Sequence, residues 1–87
     1  MKVLFFGTPP LAAPYLQWLI DRHTVVGVVC RQDEPVGRGH RITPPLTKEL
    51  ARKNGIAVLQ PEGAWTPDVI ETVRGFGADV GVAMGGL

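Results

Sequence analysis

One cysteine, two histidines and no long apolar run mark the 87-residue sequence first by what it has little of. A single thiol, Cys30, excludes an internal disulfide framework and suits a reducing compartment. It lies within the run Val25-Val26-Gly27-Val28-Val29-Cys30, so it reads as a small buried hydrophobe rather than a nucleophile. His23 and His40 stand far apart, and no Cys or His pair has ligand spacing, so no metal site is expected. Apolar stretches fall well short of the roughly 18 residues that span a bilayer. The opening segment breaks into Gly7-Thr8-Pro9-Pro10 too soon for a signal peptide, and the expected location is cytoplasmic. Charge of one sign is missing as well. The formal net charge is +1, so any pull towards a polyanion must come from local clustering. Length and composition, 45% hydrophobic and 20% charged, fit one small globular unit. A chain of this size buries only about 60 to 65% of its unfolded surface and is marginally stable.

What is present is a regular alternation. Val3 to Phe6 is the continuous apolar run of a strand covered on both faces. Leu11, Ala12, Tyr15, Leu16, Leu19 and Ile20 then recur at helical spacing. Pro14 fits that helix because it falls in the first turn, where amides have no intrahelical partner. His23 follows, placed to meet the helix's last carbonyls. Thr24 to Cys30 is a second strand, rich in valine. Thr43-Pro44-Pro45 opens a second helix to about Asn54, with Gly55 as its left-handed stop. Ala57 to Leu59 is a third strand. Pro67 starts a third helix carrying Val69, Ile70 and Val73 on one face, and Val80 to Met84 is a fourth strand. The order β-α-β-α-β-α-β predicts an α/β fold with a partial Rossmann-like parallel sheet, strand order 3-2-1-4. Ligands of such sheets bind beyond the carboxyl ends of the strands where the order reverses. That crevice would be walled by Gly7, Thr8 and Pro9 on one side and by Gly85 and Gly86 on the other. The 87 residues then read as an incomplete domain.

Between the second strand and the second helix lies Arg31-Gln-Asp-Glu-Pro-Val-Gly-Arg-Gly-His-Arg41. Its charges and free backbone groups exclude it from a core, and it reads as a long functional loop. Asp33-Glu34-Pro35 reads as a turn. Gly37 and Gly39 free the backbone around Arg38, so that Arg38, His40 and Arg41 are shown together. Guanidinium forks suit phosphates; the plainer reading is a solvated surface loop. A dinucleotide site is disfavoured, because the first turn holds prolines instead of Gly-x-Gly-x-x-Gly. Asp33, where a ribose-binding acid would stand, is then a solvated loop carboxylate. No nucleophile–base pair can be read from the sequence.

The chain resembles the amino-terminal part of the methionyl-tRNA formyltransferase family. The resemblance is carried by Phe6-Gly7-Thr8-Pro9, Ala12-Ala13-Pro14-Tyr15-Leu16, Val25-Val26-Gly27-Val28 and Gln32-Asp33-Glu34-Pro35-Val36-Gly37-Arg38-Gly39. Pro44-Pro45, Lys48-Glu49-Leu50-Ala51, Gly55 to Glu62 and Ala78-Asp79-Val80 extend it over nearly the whole chain. It implies formyl transfer from 10-formyltetrahydrofolate to the amino group of methionyl initiator tRNA. The amine would attack the formyl carbon with general-base help and oxyanion stabilisation. It also implies that the basic loop reaches the tRNA acceptor end, with Arg38 as the matching arginine of Gly-Arg-Gly. The family's catalytic asparagine, histidine and aspartate belong beyond the fourth strand, so none is assigned here, and the fragment is expected to be inactive alone. Three departures stand out. Pro10 and Leu11 replace an acidic residue and a phenylalanine, Leu46 replaces a common proline, and Met84-Gly85-Gly86-Leu87 lacks the aromatic of the folate-lining segment. Two other readings remain open at this point: a formyltransferase acting on a nucleotide sugar or glycinamide ribonucleotide, and a non-catalytic RNA-binding module or degenerate remnant.

Overall fold

The computed structural model describes residues 1–8, 11–36, 39, 41–63 and 65–84. Strand β1 (Lys2–Gly7) buries Val3, Leu4 and Phe5 in succession, as a strand covered on both faces must. Helix α1 (Ala12–Arg22) puts Ala12, Leu16 and Leu19 on one buried stripe. Pro14 is its third residue, so its missing N–H costs no helical bond. At the other end the backbone N–H of His23 donates to the Leu19 carbonyl at 2.8 Å. The His23 ring itself lies against Trp18, centroids 6.1 Å apart, and Arg22 reaches the Trp18 carbonyl from Nη1 at 3.5 Å. The cation that meets the helix end is therefore Arg22, where His23 was expected.

Strand β2 (Thr24–Val29) runs parallel to β1, with a register shift between Val3 and Leu4. Gly27 sits beside that shift. A Cβ there would lie 3.0 Å from both Leu4 Cδ1 and the Phe76 ring, so glycine leaves the room that these side chains occupy. Helix α2 spans Leu46–Lys53, and strand β5 spans Ala57–Leu59 and pairs parallel with β2. Gly55 between them has φ +69°, the left-handed residue the sequence places after the helix. Helix α3 spans Pro67–Gly75 and is capped by the Thr66 hydroxyl, which accepts from the Val69 N–H. Strand β6 (Val80–Met84) pairs parallel with β1, Val3 opposite Val80 and Gly7 opposite Met84. The sheet order is β5-β2-β1-β6, which is the expected 3-2-1-4 arrangement and a partial Rossmann-like α/β fold.

The basic loop differs from its expected form. Strands β3 (Glu34–Val36) and β4 (Arg41–Thr43) pair antiparallel, Glu34 opposite Thr43 and Val36 opposite Arg41. Glu34 and Pro35 thus belong to a strand and not to a turn. Both strands of a two-stranded ribbon are edges, and a proline is tolerated on an edge.

The sealed core lies on one face of the sheet, where α1 and α2 pack: Val3, Phe5, Leu16, Val28, Cys30 and Ala51 are all buried there. On the other face α3 has no fully buried residue.

Candidate functional site

The carboxyl ends of the parallel strands bring Gly7-Thr8, Cys30-Arg31 and Gln60-Pro61 to one edge of the sheet. A polar lattice ties them together. Thr8 Oγ1 accepts from the Arg31 N–H at 2.8 Å, and Gln60 Nε2 donates to the Arg31 carbonyl at 2.9 Å. The same amide donates to Asp33 Oδ1 at 2.8 Å. Lys48 Nζ, from α2, meets both oxygens of Asp33 at 2.9 and 3.0 Å. Thr47, fully buried beside it, donates to the Gly7 carbonyl at 2.8 Å. The hairpin β3–β4 therefore springs from a fixed root: its entry is joined to β1, β5 and α2.

Asp33 is the residue whose role changes most. It is not a freely solvated loop carboxylate but the acceptor of two donors from two other elements. The Gln60 amide first, then Lys48, hold its carboxyl below the usual aspartate value. Neither partner adjoins it in sequence, so no local signal marks the cluster. Cys30 behaves as expected. Burial pushes its thiol up, offset only in part by the Thr47 hydroxyl, which is the reverse of an activated thiolate.

Of the residues singled out in the sequence, Gly7, Thr8, Gly39 and Arg41 are described. Pro9, Gly37, Arg38, His40, Gly85 and Gly86 lie outside the described residues. Gly7 serves packing. A Cβ on it would fall 2.8 Å from Phe5 Cε2 and 3.1 Å from Ala12 Cβ, so it lets α1 close onto β1. Thr8 is a strut for the hairpin root. Arg41 opens β4 and is exposed, with no ion pair among the described residues. No group of three or more metal-ligating side chains occurs among the described residues, and none of their helices is long and apolar enough to cross a membrane.

This edge can position a ligand. Among the described residues it offers no paired nucleophile and base. Two small pockets lie along it, one of them lined in part by Arg31. One of about 300 Å³ lies under the hairpin against Thr8, Thr43 and Pro45, and one of about 270 Å³ lies towards Trp65.

No family model matches the chain. Curated relatives do. The chain is 46% identical over 84 residues to the methionyl-tRNA formyltransferase of Sorangium cellulosum, covering 97% of this chain and 27% of the relative. It is 46% identical over 80 residues to that of Trichlorobacter lovleyi (91% and 25%), and 45% over 83 residues to that of Chloroflexus aggregans (94% and 27%). The chain thus spans about a quarter of the length of the relatives it matches.

Proposed function

We propose, from the premise that this chain belongs to the methionyl-tRNA formyltransferase family, that it forms the tRNA-positioning wall of a formyltransferase domain. The partner is methionyl initiator tRNA, and the contacting segment is the hairpin that carries Gly37, Arg38, Gly39, His40 and Arg41. The observation that carries this reading is the rooted hairpin. Asp33, Lys48 and Gln60 fix its base at the carboxyl edge of the sheet, where open α/β sheets bind their ligands. A flexible solvated loop would need no such root. Arginine on a fixed stem meets phosphates with less ordering cost, and phosphate contacts set the position of an RNA end.

10-Formyltetrahydrofolate is the donor this reading implies. Two pockets of described residues lie at this edge, of about 270 and 300 Å³, at the lower end of the roughly 300–1,000 Å³ typical of small-molecule sites. The reading therefore assigns the described residues of this edge a positioning role. The family's asparagine, histidine and aspartate are not among the residues it assigns.

The test is a titration of the chain with methionyl initiator tRNA over a range of salt. Arg38→Ala is expected to weaken binding and to lower the salt slope by about one, the loss of one phosphate contact. An unchanged affinity and slope would remove the arm from the tRNA. The 87-residue chain supplied with donor and methionyl-tRNA is expected to release no formyl-methionyl-tRNA; product formation above background would overturn the positioning-only role.

A further inference from the structure

Helix α1 carries a second apolar stripe, outside the one that packs on the sheet. Beside the buried Ala12, Leu16 and Leu19 stand Leu11, Tyr15 and Trp18, which are 80%, 56% and 50% exposed. Single exposed hydrophobes are ordinary on a protein surface; a contiguous row of them marks an interaction site. With Arg22 the row runs 11, 15, 18, 22, the alternating four and three spacing that keeps one seam along a helix. Leu11 precedes the first helical residue but belongs to the seam, because its backbone is already helical, φ −64° and ψ −18°. Pro14, Tyr15 and Trp18 line an open depression of about 420 Å³ on it.

The charged end of the seam is fixed. The Arg22 guanidinium carbon sits 4.6 Å from the centre of the Trp18 ring, and Nη1 donates to the Trp18 carbonyl at 3.5 Å. The His23 ring flanks the same indole, with 6.1 Å between centroids. Asp21, the acid next in sequence, accepts from the Gln17 amide at 2.9 Å. No described carboxylate forms an ion pair with Arg22. Indole and guanidinium therefore hold each other in place, and the cation is left without a counter-charge. Tryptophan, tyrosine and arginine are also the side chains that dominate binding energy at interfaces.

Spacing and charge together name the occupant. A seam of this spacing accepts another helix, whose side chains enter the gaps between Leu11, Tyr15 and Trp18. Arg22 calls for a carboxylate on that helix. A second copy of α1 does not supply one. Packed antiparallel, it would bring its first turn to Arg22, and that turn has no acidic residue; packed parallel, it would set Arg22 against Arg22. A lipid surface is disfavoured too, since anionic membranes are held by clusters of about four to eight basic residues. We propose that this seam docks an amphipathic helix of a partner protein, antiparallel to α1, with an acidic residue in its first turn against Arg22. That sense places the acid where the partner helix's own dipole favours it. An interface of one such helix pair belongs to the small, transient class. The hairpin plays no part in it, and neither outcome below bears on the tRNA titration.

The probe is a synthetic amphipathic helix of about 15 residues, with leucines at alternating three and four spacing and glutamates in its first turn. Its controls carry lysine for glutamate, or serine for leucine. Trp65→Phe leaves Trp18 as the sole tryptophan, since the chain has two. The glutamate helix is expected to shift Trp18 emission to the blue saturably. The lysine helix is expected to bind about fivefold more weakly, and the serine helix not to bind. By calorimetry on the otherwise unsubstituted chain, Trp18→Ala is expected to weaken the glutamate helix roughly tenfold. Arg22→Glu is expected to reverse the preference, so that the lysine helix binds more tightly, a result that apolar adhesion alone does not give. Both residues are exposed, so these variants are expected to keep the parent's thermal melt. No saturable shift with the glutamate helix, or equal binding of the two charged helices, would overturn the proposal. So would dimerisation of the unsubstituted chain that Trp18→Ala abolishes in sedimentation, which gives the face to a second copy. Binding to phosphatidylglycerol vesicles with none to the glutamate helix would give it to a membrane instead.

Discussion

The two faces of the four-stranded sheet are covered to different degrees. On the face that carries α1 and α2, Phe5, Leu16, Val28 and Ala51 are wholly removed from water. On the face that carries α3, the helix has no fully buried residue, Ile70 is 45% exposed and Val80 of β6 is 39% exposed. Helices α1 and α3 each carry an apolar stripe in the sequence, the longer one on α1, yet the pattern alone does not say which helix is sealed. The difference lies in what each stripe meets. Helix α1 packs against α2 as well as the strands, and the pair closes over the sheet; among the described residues no helix packs on α3 to the extent that α2 packs on α1. In a chain this short, cohesion is concentrated in one layer.

The largest effect expected from that asymmetry is at Phe5. Phe5→Ala removes a fully buried ring from the sealed face, at about 3–5 kcal/mol. That is most of the stability of a small domain, roughly 5 kcal/mol at the low end. Circular dichroism should show the chain largely unfolded at 25 °C, and a cooperative melt like that of the parent would mean that the core is not where the burial places it. Thr47→Val follows. It preserves shape but deprives the Gly7 carbonyl of its 2.8 Å donor, which costs about 1–3 kcal/mol when the acceptor is buried. Urea unfolding midpoints measure it. A midpoint equal to the parent's would show that water replaces the hydroxyl at Gly7.

The same two faces show how far the sequence can be read. Val3 to Phe6, the valines of β2 and the stripe of α1 announced a parallel sheet and its order, because local pattern and chain connectivity decide both. The stop at Gly55 was legible because only φ > 0 after a helix explains a glycine there. The hairpin β3–β4 was not. Its strands are three residues long, contain a proline, and sit in a charged stretch, so neither period nor propensity marks them. The Asp33–Lys48–Gln60 root was illegible for another reason. Its partners lie 15 and 27 residues away, and only the folded sheet brings them together. Trp65 gave no periodic signal either, since a lone aromatic in a loop is a wall only once Phe6 stands behind it.

The hairpin root makes its own prediction, smaller and dependent on pH. The donors Gln60 and Lys48 depress the Asp33 carboxyl, so the folded pKa lies below the unfolded one, near 3.9. A depressed carboxyl contributes stability that is fully present above the unfolded value and is lost as pH falls through the folded value. Amide exchange at Glu34, Val36 and residues 41–43 should therefore quicken, relative to the intrinsic rate, as the pH drops below about 4. Asp33→Asn should remove that dependence while leaving the exchange of β1 unchanged. If β1 quickens with the hairpin, the root is part of the global fold and not a local anchor.

The smallest effect is the most informative about the open face. Ile70→Ala deletes a side chain that is 45% exposed, so the transfer loss is about half that of a buried isoleucine and little cavity forms. The expected cost is under about 1 kcal/mol, a shift of a few degrees in the thermal midpoint. Leu16→Ala, its counterpart on the sealed face, should cost about 2–5 kcal/mol. The ratio of the two measures how unequally the sheet is covered. Equal costs for the pair would show that α3 is packed as tightly in solution as α1, and the contrast between the faces would collapse.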